Sequence, residues 1–426
     1  MNCCKGGSFP ASSSIALYVH VPFCRKRCTY CDFNTYVGLR ELAPAYTGAL
    51  CREIEAAGER WNALDVSTIY LGGGTPSLLP LDLLADLFDA VHSVFHVSAG
   101  PEVTIEANPG TVTPGYLHGL RGLGINRLSL GVQSTHEDEL YMLGRIHTWR
   151  DTVETVESAR KAGFDNISFD LMFGLPDQTE GQWKETLGTA LDLEPRHLSL
   201  YGLTLEGGTS LARQISIGLL PTPEEECAAA MYELAEKKLA EVGFFHYEIS
   251  NWAKSNYRWW DGRRSSCTWR PEAADVRPRS SESISPYVCR HNLTYWRNQP
   301  WLGVGAGAHS WLEGRRWDNV SHPEDYVAAW TGDDLSEAKN PLAASQDVEE
   351  IDKSLEMGET MMLGLRLAEG VSNRRFESWF GRSLREVFGS ELEDLRDQSL
   401  LTWDGSVARL TQRGRLLGNR VFERFI

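Results

Sequence analysis

The sequence predicts an α/β fold: a partial (β/α)6 TIM-like barrel, followed by a C-terminal α+β, winged-helix-like domain. Three observations predict it. Six short apolar, β-branched runs alternate with segments of helical period. Polar residues of chemical interest fall at or just after the C-terminal ends of those runs. From about Ser345 the alternation gives way to amphipathic helices and then a hairpin pattern.

The first run, Ile15 to Val21, leads into Cys24, Cys28 and Cys31. A helical stripe follows through Leu42, Tyr46, Ala49, Leu50 and Ile54. The second run, Val66 to Leu71, enters Gly72-Gly-Gly-Thr-Pro76, and the stripe Leu81, Leu84, Phe88, Val91, Phe95 comes after it. The third, Val103 to Ala107, carries Glu106 near its end. The fourth, Ile125 to Leu130, is followed by Gly131-Val-Gln133. The fifth, Ile167 to Leu171, ends around Asp170, and His197 to Tyr201 is the sixth. Strands alternating with helices imply a parallel sheet with right-handed crossovers. Six units are too few to close the eight-stranded barrel, so an open one is expected, with its site at the C-terminal ends of the strands.

A chain of 426 residues, 42% hydrophobic, supplies a core for a barrel-sized domain and one or two smaller ones. Nine cysteines in such a length, three of them grouped, do not resemble a secreted disulfide framework and imply a reducing compartment. A formal net charge of -16 repels nucleic-acid phosphates and anionic membrane surfaces. The sequence has no apolar run long enough for a membrane span, and Met1 to Ser14 resembles neither a signal nor a transit peptide. A cytoplasmic protein is expected, with no nucleic-acid partner.

The spacing C-x-x-x-C-x-x-C at Cys24, Cys28 and Cys31 carries the most chemistry. Three thiolates hold three irons of a [4Fe-4S] cluster and leave the fourth iron open to chelate S-adenosylmethionine (SAM) through its amino and carboxylate groups, the radical SAM signature. The alternatives are a zinc site completed by His20, or three unrelated buried cysteines. Glu106, Gln133 and Asp170 suit the ribose hydroxyls and amino group of an adenosyl ligand, and Arg145 suits its carboxylate. Taken singly, each is equally a satisfied structural polar residue. Gly72 to Gly74 allow close backbone approach to a ligand, or serve a tight turn. Tyr18 and Tyr30 shield the cluster, or are core.

Together, the run Tyr18 to Phe33, Gly72 to Ser77, Glu106-Ala-Asn-Pro109, Gly131-Val-Gln-Ser134, Asp170 to Pro176 and His246-Tyr-Glu-Ile-Ser-Asn251 resemble the HemW heme chaperones. These are similar to, but distinct from, the oxygen-independent coproporphyrinogen oxidases called HemN. The resemblance implies cluster ligation by Cys24, Cys28 and Cys31, and SAM contacts at Tyr18, Tyr30, Gly73, Gly74, Thr75, Glu106, Gln133, Arg145 and Asp170. The oxidases carry a further cysteine two residues past the third ligand, where this chain has Phe33. The run His291-Asn-Leu-Thr-Tyr-Trp296 resembles the heme-binding motif of the chaperones. Through it His291 becomes an axial heme ligand, with Tyr295 and Trp296 as aromatic surface, although a lone histidine among aromatics is otherwise a core residue. His309 offers a second heme ligand or buried structure. Gly303, Gly305 and Gly307 lack the spacing of a dinucleotide fingerprint and suggest a backbone approach to the cofactor cavity.

The expected division is an N-terminal extension (1–14), the barrel and an adjoining segment (15–254), an insertion (255–288), a heme-motif segment (289–344) and the C-terminal domain (345–426). The insertion is basic, with Arg258, Arg263, Arg264, Arg270, Arg277 and Arg279, and is read as a mobile surface loop. Arginine with aromatics also suits single-stranded nucleic acid, or heme propionates. Leu400 to Leu410, with its Asp404-Gly405 turn, reads as a hairpin.

The resemblance implies a heme chaperone that passes heme to an acceptor protein, with an electron donor for the cluster. The alternative is an oxygen-independent coproporphyrinogen III dehydrogenase using a 5'-deoxyadenosyl radical. A barrel of this kind supports either, so the sequence leaves open whether the chain is an enzyme.

Overall fold

The computed structural model describes residues 14–255, 285–331 and 340–426. Most of the 255–288 insertion and all but the last residue of the N-terminal extension lie outside them.

Six parallel strands run in chain order: β1 (Ser14–Val21), β2 (Asp65–Gly73), β3 (His96–Ala107), β4 (Arg127–Gln133), β5 (Asn166–Phe173) and β6 (His197–Gly202). Their order across the sheet is β1-β2-β3-β4-β5-β6. Helices cross between them: α1 (Ala43–Trp61), α2 (Leu81–Val94), α3 (Pro114–Gly122), α4 (Glu137–Met142), α5 (Trp149–Lys161) and α6 (Glu180–Asp192). Two of these helices start on capping boxes. Thr148 and Asp151 exchange side-chain and backbone bonds at the head of α5, and Thr179 and Gln182 do so at α6. Each reciprocal cap satisfies two otherwise orphaned groups and fixes where the chain turns back toward the sheet.

The strands bury both faces, as parallel strands do. Ile69, Leu71, Ile105, Leu128, Leu130, Phe169, Leu198 and Leu200 belong to the main core, together with Leu50, Ile54, Leu84 and Leu87 of the helices. Burying one such side chain contributes about 1.5–3 kcal/mol, so this layer is the main source of the sheet's stability.

The sheet is wider than the sequence predicts. It continues past β6 through β8 (Asn251–Lys254) to β7 (Phe244–Glu248), both antiparallel. Past β1 it gains β9 (Trp301–Val304), parallel to β1, then β10 (His309–Leu312), β11 (Arg315–Asn319) and β12 (Ser345–Glu350). The full order is β12-β11-β10-β9-β1-β2-β3-β4-β5-β6-β8-β7, an open sheet. These added strands are mostly four or five residues long, and β12 is exposed along most of its length, so neither length nor alternation announced them.

The last part has its own core, with Met361, Leu365, Phe376, Leu392, Leu401 and Val421. Helices Lys353–Gly364, Asn373–Phe380 and Leu384–Asp397 precede the hairpin Leu401–Trp403 with Val407–Leu410, which the short strand Val371–Ser372 extends to three. The Asp404 carboxylate closes the hairpin turn by accepting from the Ser406 and Val407 amides. Arg316 of β11 clamps Glu359 through two bonds of 2.8 and 2.9 Å, tying this part to the sheet, and Arg415 pairs at 2.7 Å with Glu236 of the helix Glu225–Glu241. No helix among the described residues is long and apolar enough to cross a membrane.

Candidate functional site

Cys24, Cys28 and Cys31 lie on the loop after β1, partly buried, with free thiols. Several bonds hold this loop. The Thr29 amide donates to Leu143 O at 3.1 Å, its hydroxyl donates to Met142 O at 2.8 Å, and the Leu211 amide donates back to Thr29 O at 2.7 Å. Arg27 reaches the carbonyls of Cys31 and Phe33. Asn34 donates to Ala306 O at 3.0 Å and Ser321 O at 2.9 Å, pinning the loop to the segments that follow β9 and β11.

His20 is excluded as a fourth ligand in this arrangement. Its Nε2 donates to Asn34 O at 2.9 Å, so Nδ1 is the acceptor facing the Tyr18 hydroxyl, also at 2.9 Å. Both nitrogens are spent. No group of three or more His, Cys, Asp or Glu side chains among the described residues is gathered for a single metal ion. A four-iron cluster puts each thiolate on a different iron, so its ligands stand further apart than those of a mononuclear site.

Arg145 is the cation of this region. Its guanidinium donates to Cys28 Sγ at 3.2 Å, to Gly131 O at 2.6 Å and to Asn108 Oδ1. Burial works against its charge, yet Tyr30 and Cys28 beside it hold the pKa above its ordinary value. Its Nε is buried with no acceptor. An orphaned buried donor beside three thiols on one loop fits an anionic cofactor, because such a donor is otherwise costly. Burial pushes the Cys24 thiol up to about 11, partly offset by Thr75, whose hydroxyl lies 3.7 Å from its sulfur. Thr75 also accepts from Asn108 at 2.9 Å, so Cys24, Thr75, Asn108, Arg145 and Cys28 form one chain of contacts.

Gly73 and Gly131 explain themselves by approach distance. A Cβ on Gly73, at φ +111°, would stand 2.5 Å from the His20 ring, and one on Gly131 would stand 3.0 Å from the Arg145 guanidinium. The Gly74 amide donates to Val21 O at 2.9 Å. The glycine run is therefore a tight turn against the chain's own atoms.

A second locus lies inside the sheet's curve, a cavity of about 230 Å³. Tyr18, Tyr70, Glu106, Asp170, Tyr201 and His291 are among its walls. Glu106 accepts from the Tyr70 hydroxyl at 2.8 Å and the Gly73 amide at 3.1 Å, and burial pushes its pKa up to about 7. Burial raises Asp170 to about 6, against the bonds it receives from Ser199 and Ser129. Tyr18, Glu106, Asp170 and His291 are thus brought together around one cavity. Cys28, Thr75 and Arg145 sit together around a shallow cleft with Arg25 and Lys26. Gly73 links the two regions through Glu106. Gln133 ends β4 buried, with φ +69°, and its amide lies close to Gly131 and Arg145. Tyr30 packs near Leu143, Met172 and Leu175.

His291 is fully buried on helix Arg290–Trp296. Its Nδ1 bonds Thr68 Oγ1 and its Nε2 bonds the Tyr295 hydroxyl, each at 2.8 Å, and it stacks on Tyr70 with ring centroids 5.1 Å apart. Burial pushes its pKa down to about 3, so it is neutral. Tyr295 meets it edge-on rather than on its face, at an interplanar angle of 90°. Trp296 turns instead toward Arg366, whose guanidinium lies 4.5 Å above its ring. His309 is exposed. The expected approach of Gly303, Gly305 and Gly307 to the cavity is not found: Cβ atoms there would meet the backbone of His309 and His20 and the side chain of Asn34.

Sequence reasoning passed over Tyr70, Arg127, Ser129, Ser168, His197 and Ser199, all on the cavity wall. The signal was present as strict alternation: 127/129 on β4, 168/170 on β5 and 197/199/201 on β6 point inward, while Leu128, Phe169 and Leu198 face the helices.

Comparison with known proteins places this geometry in a family. The Radical SAM superfamily model matches residues 18–190, and that of the HemN C-terminal domain matches residues 351–417. A protein named heme chaperone HemW from Bacillus subtilis is 37% identical over 410 residues, covering 96% of this chain and 98% of that one. The chain belongs to the HemW family. A HemW of Mycobacterium tuberculosis is 34% identical, covering 95% of this chain and 93% of the relative. The mitochondrial radical S-adenosyl methionine domain-containing protein 1 of Bos taurus is 33% identical over 95% of this chain and 86% of its own length. Among solved structures, coproporphyrinogen III oxidase HemN of Escherichia coli superposes with a TM-score of 0.77 at 21% identity, covering 99% of this chain and 96% of that one. That likeness shows a shared fold.

Proposed function

We propose that the chain is a heme carrier that binds heme and transfers it to an acceptor protein, supported by a SAM-binding [4Fe-4S] cluster. The observation that carries this reading is the 37% identity, over nearly the whole of both chains, with a protein named as a heme chaperone, in a chain whose three cysteines share one pinned loop. Cys24, Cys28 and Cys31 would hold the cluster, which with SAM supplies one-electron chemistry when bound. Arg145, with its orphaned Nε, would take the anionic groups. Glu106 and Asp170 would take the polar and cationic groups of SAM, with Tyr18, Tyr30, Gly73, Gly74, Thr75 and Gln133 around them. An electron donor, a cytoplasmic setting and the expected division of the chain at 254, 288 and 344 belong to the same reading.

His291 is the proposed axial ligand, with a condition attached. As it stands it is a hydrogen-bonded core histidine, and a heme iron reaches Nε2 only by displacing the Tyr295 hydroxyl. A cavity of 150 Å³ holds benzene, so one of about 230 Å³ does not admit a porphyrin unless helix Arg290–Trp296 shifts.

The test is anaerobic reconstitution followed by parallel heme titration and coproporphyrinogen turnover. Saturable heme binding without turnover supports the carrier. Turnover with SAM consumption overturns it in favour of the oxidase.

A further inference from the structure

Below Glu106 and Asp170 the cavity has a floor to which the heme-carrier reading gives no role. Arg127 opens β4, four residues before Gly131, which is roughly 13 Å further along the strand. The guanidinium is therefore well separated from the residues assigned to the cluster. Arg127 is 2% exposed and lines the cavity together with Ser168, His197 and Cys289.

Its bonding is incomplete in a specific way. Nη1 alone donates, to Asn166 Oδ1 at 2.9 Å and to Tyr287 O at 2.8 Å. Among the described residues no acceptor engages Nε or Nη2, and no carboxylate lies within ion-pair distance. Glu102 is the nearest buried acid to act on it. However, the Glu102 oxygens are committed to the amides of His291 and Arg290, at 3.0 and 3.1 Å, where they cap helix Arg290–Trp296. Burial opposes the charge on Arg127, but Cys289 and Glu102 more than offset this, so it remains a cation. The free Nε and Nη2 of this guanidinium therefore meet only the solvent of the cavity, and a carboxylate accepting from both would hold them more strongly than water does.

The surrounding groups define the ligand's size and polarity. His197 is spent, with Nδ1 on Ser168 at 2.7 Å and Nε2 on Tyr247 at 2.8 Å, and burial holds it neutral. It adds no competing charge. Asp170 and Glu106 stand on the mouth side, where they would repel an anion bound near them and so confine it to the floor. About 230 Å³ is room for a molecule somewhat larger than benzene.

We propose that the floor of the barrel is a binding site for a small carboxylate, no larger than an amino acid, held by the free Nε and Nη2 edge of Arg127. The site is separate from the cluster loop and lies on the floor of the cavity that His291 also lines, and it does not depend on heme binding.

The test uses the anaerobically reconstituted full chain with SAM present, titrated by calorimetry with propionate and with its neutral isostere propionamide. Propionate should bind at one site per chain, and propionamide at least about tenfold more weakly. Arg127→Gln should weaken propionate about ten- to a hundredfold while leaving SAM and heme binding unchanged. Ser199→Leu shares no hydrogen bond with Arg127 and narrows the same cavity, so it should lose propionate even if Arg127→Gln fails to fold. Several results would overturn the site: no saturable propionate binding in the parent protein, undiminished binding in folded Arg127→Gln, or undiminished binding in Ser199→Leu. Loss of SAM binding in Arg127→Gln would assign the residue to the cofactor instead, and loss of heme binding would make its partner a heme propionate. Either outcome also removes the proposal.

Discussion

The Tyr295 hydroxyl lies 2.8 Å from Nε2 of His291, on the same helical face four residues away, and occupies the nitrogen that heme would need. The two residues of the motif compete with the ligand. Opposite effects are therefore expected from changing them: His291→Ala removes the ligand and should weaken heme binding or shift the Soret band. Tyr295→Phe frees Nε2 and should tighten heme binding about two- to tenfold, the worth of one hydrogen bond. Parallel titrations decide it. Identical heme affinity in both variants and the parent would move the ligand elsewhere.

Replacing Cys24, Cys28 and Cys31 together by Ala should abolish the broad visible absorption of the reconstituted protein and its reduced-cluster paramagnetic signal. Cys51, Cys227 and Cys289 should be dispensable. Cys289 lies away from the loop of the other three, on the wall of the sheet cavity with its sulfur 3.7 Å from the Glu102 carboxylate. Normal reconstitution of the triple variant would sink the assignment.

Arg145→Ala strips a donor from Cys28, Gly131 O and Asn108 at once. Leaving such groups unpaired costs about 1–3 kcal/mol, so denaturant unfolding of the cluster-free protein should show lower stability. The same variant should weaken SAM about ten- to a hundredfold. Unchanged SAM affinity with lowered stability would make Arg145 purely structural.

SAM affinity should rise with pH. Glu106 and Asp170, raised by burial to about 7 and about 6, are largely protonated at pH 5.5, whereas a cationic ligand favours their ionised forms. Affinity should fall about tenfold per pH unit for each proton that must leave below those values. In the ligand-free protein pH acts on stability with the opposite sign. The folded state holds a Glu106 proton that the unfolded chain has released, so that stability is present below the ordinary glutamate value and is lost as pH rises toward about 7. Binding measured between pH 5.5 and 8 should flatten in Glu106→Gln. A flat profile in the parent protein would remove Glu106 from the site.

Much of the fold was legible because parallel strands buried on both faces write themselves as apolar runs. All six are present, five of them within three residues of their expected ends, while β3 begins seven residues early, at His96. The hairpin around Asp404 was also readable, from its turn chemistry. The edge strands β7 to β12 were not, because pairing at a sheet edge is decided by which neighbour is available rather than by the strand's own pattern.

The sequence by itself determined which residues carry chemistry: three thiols at fixed spacing on one loop, and acids at strand ends. Tertiary structure decided what those residues face. Only the packing of β9 against β1 spends Gly305 on His20 rather than on a ligand, and only the meeting of helix Arg290–Trp296 with β2 and β3 closes Thr68 and Tyr295 around His291. Hydrogen bonds between residues far apart in the chain leave no periodicity behind. The unpaired edge of Arg127 follows from the same cause, since an absent partner is visible only when every neighbour is in place.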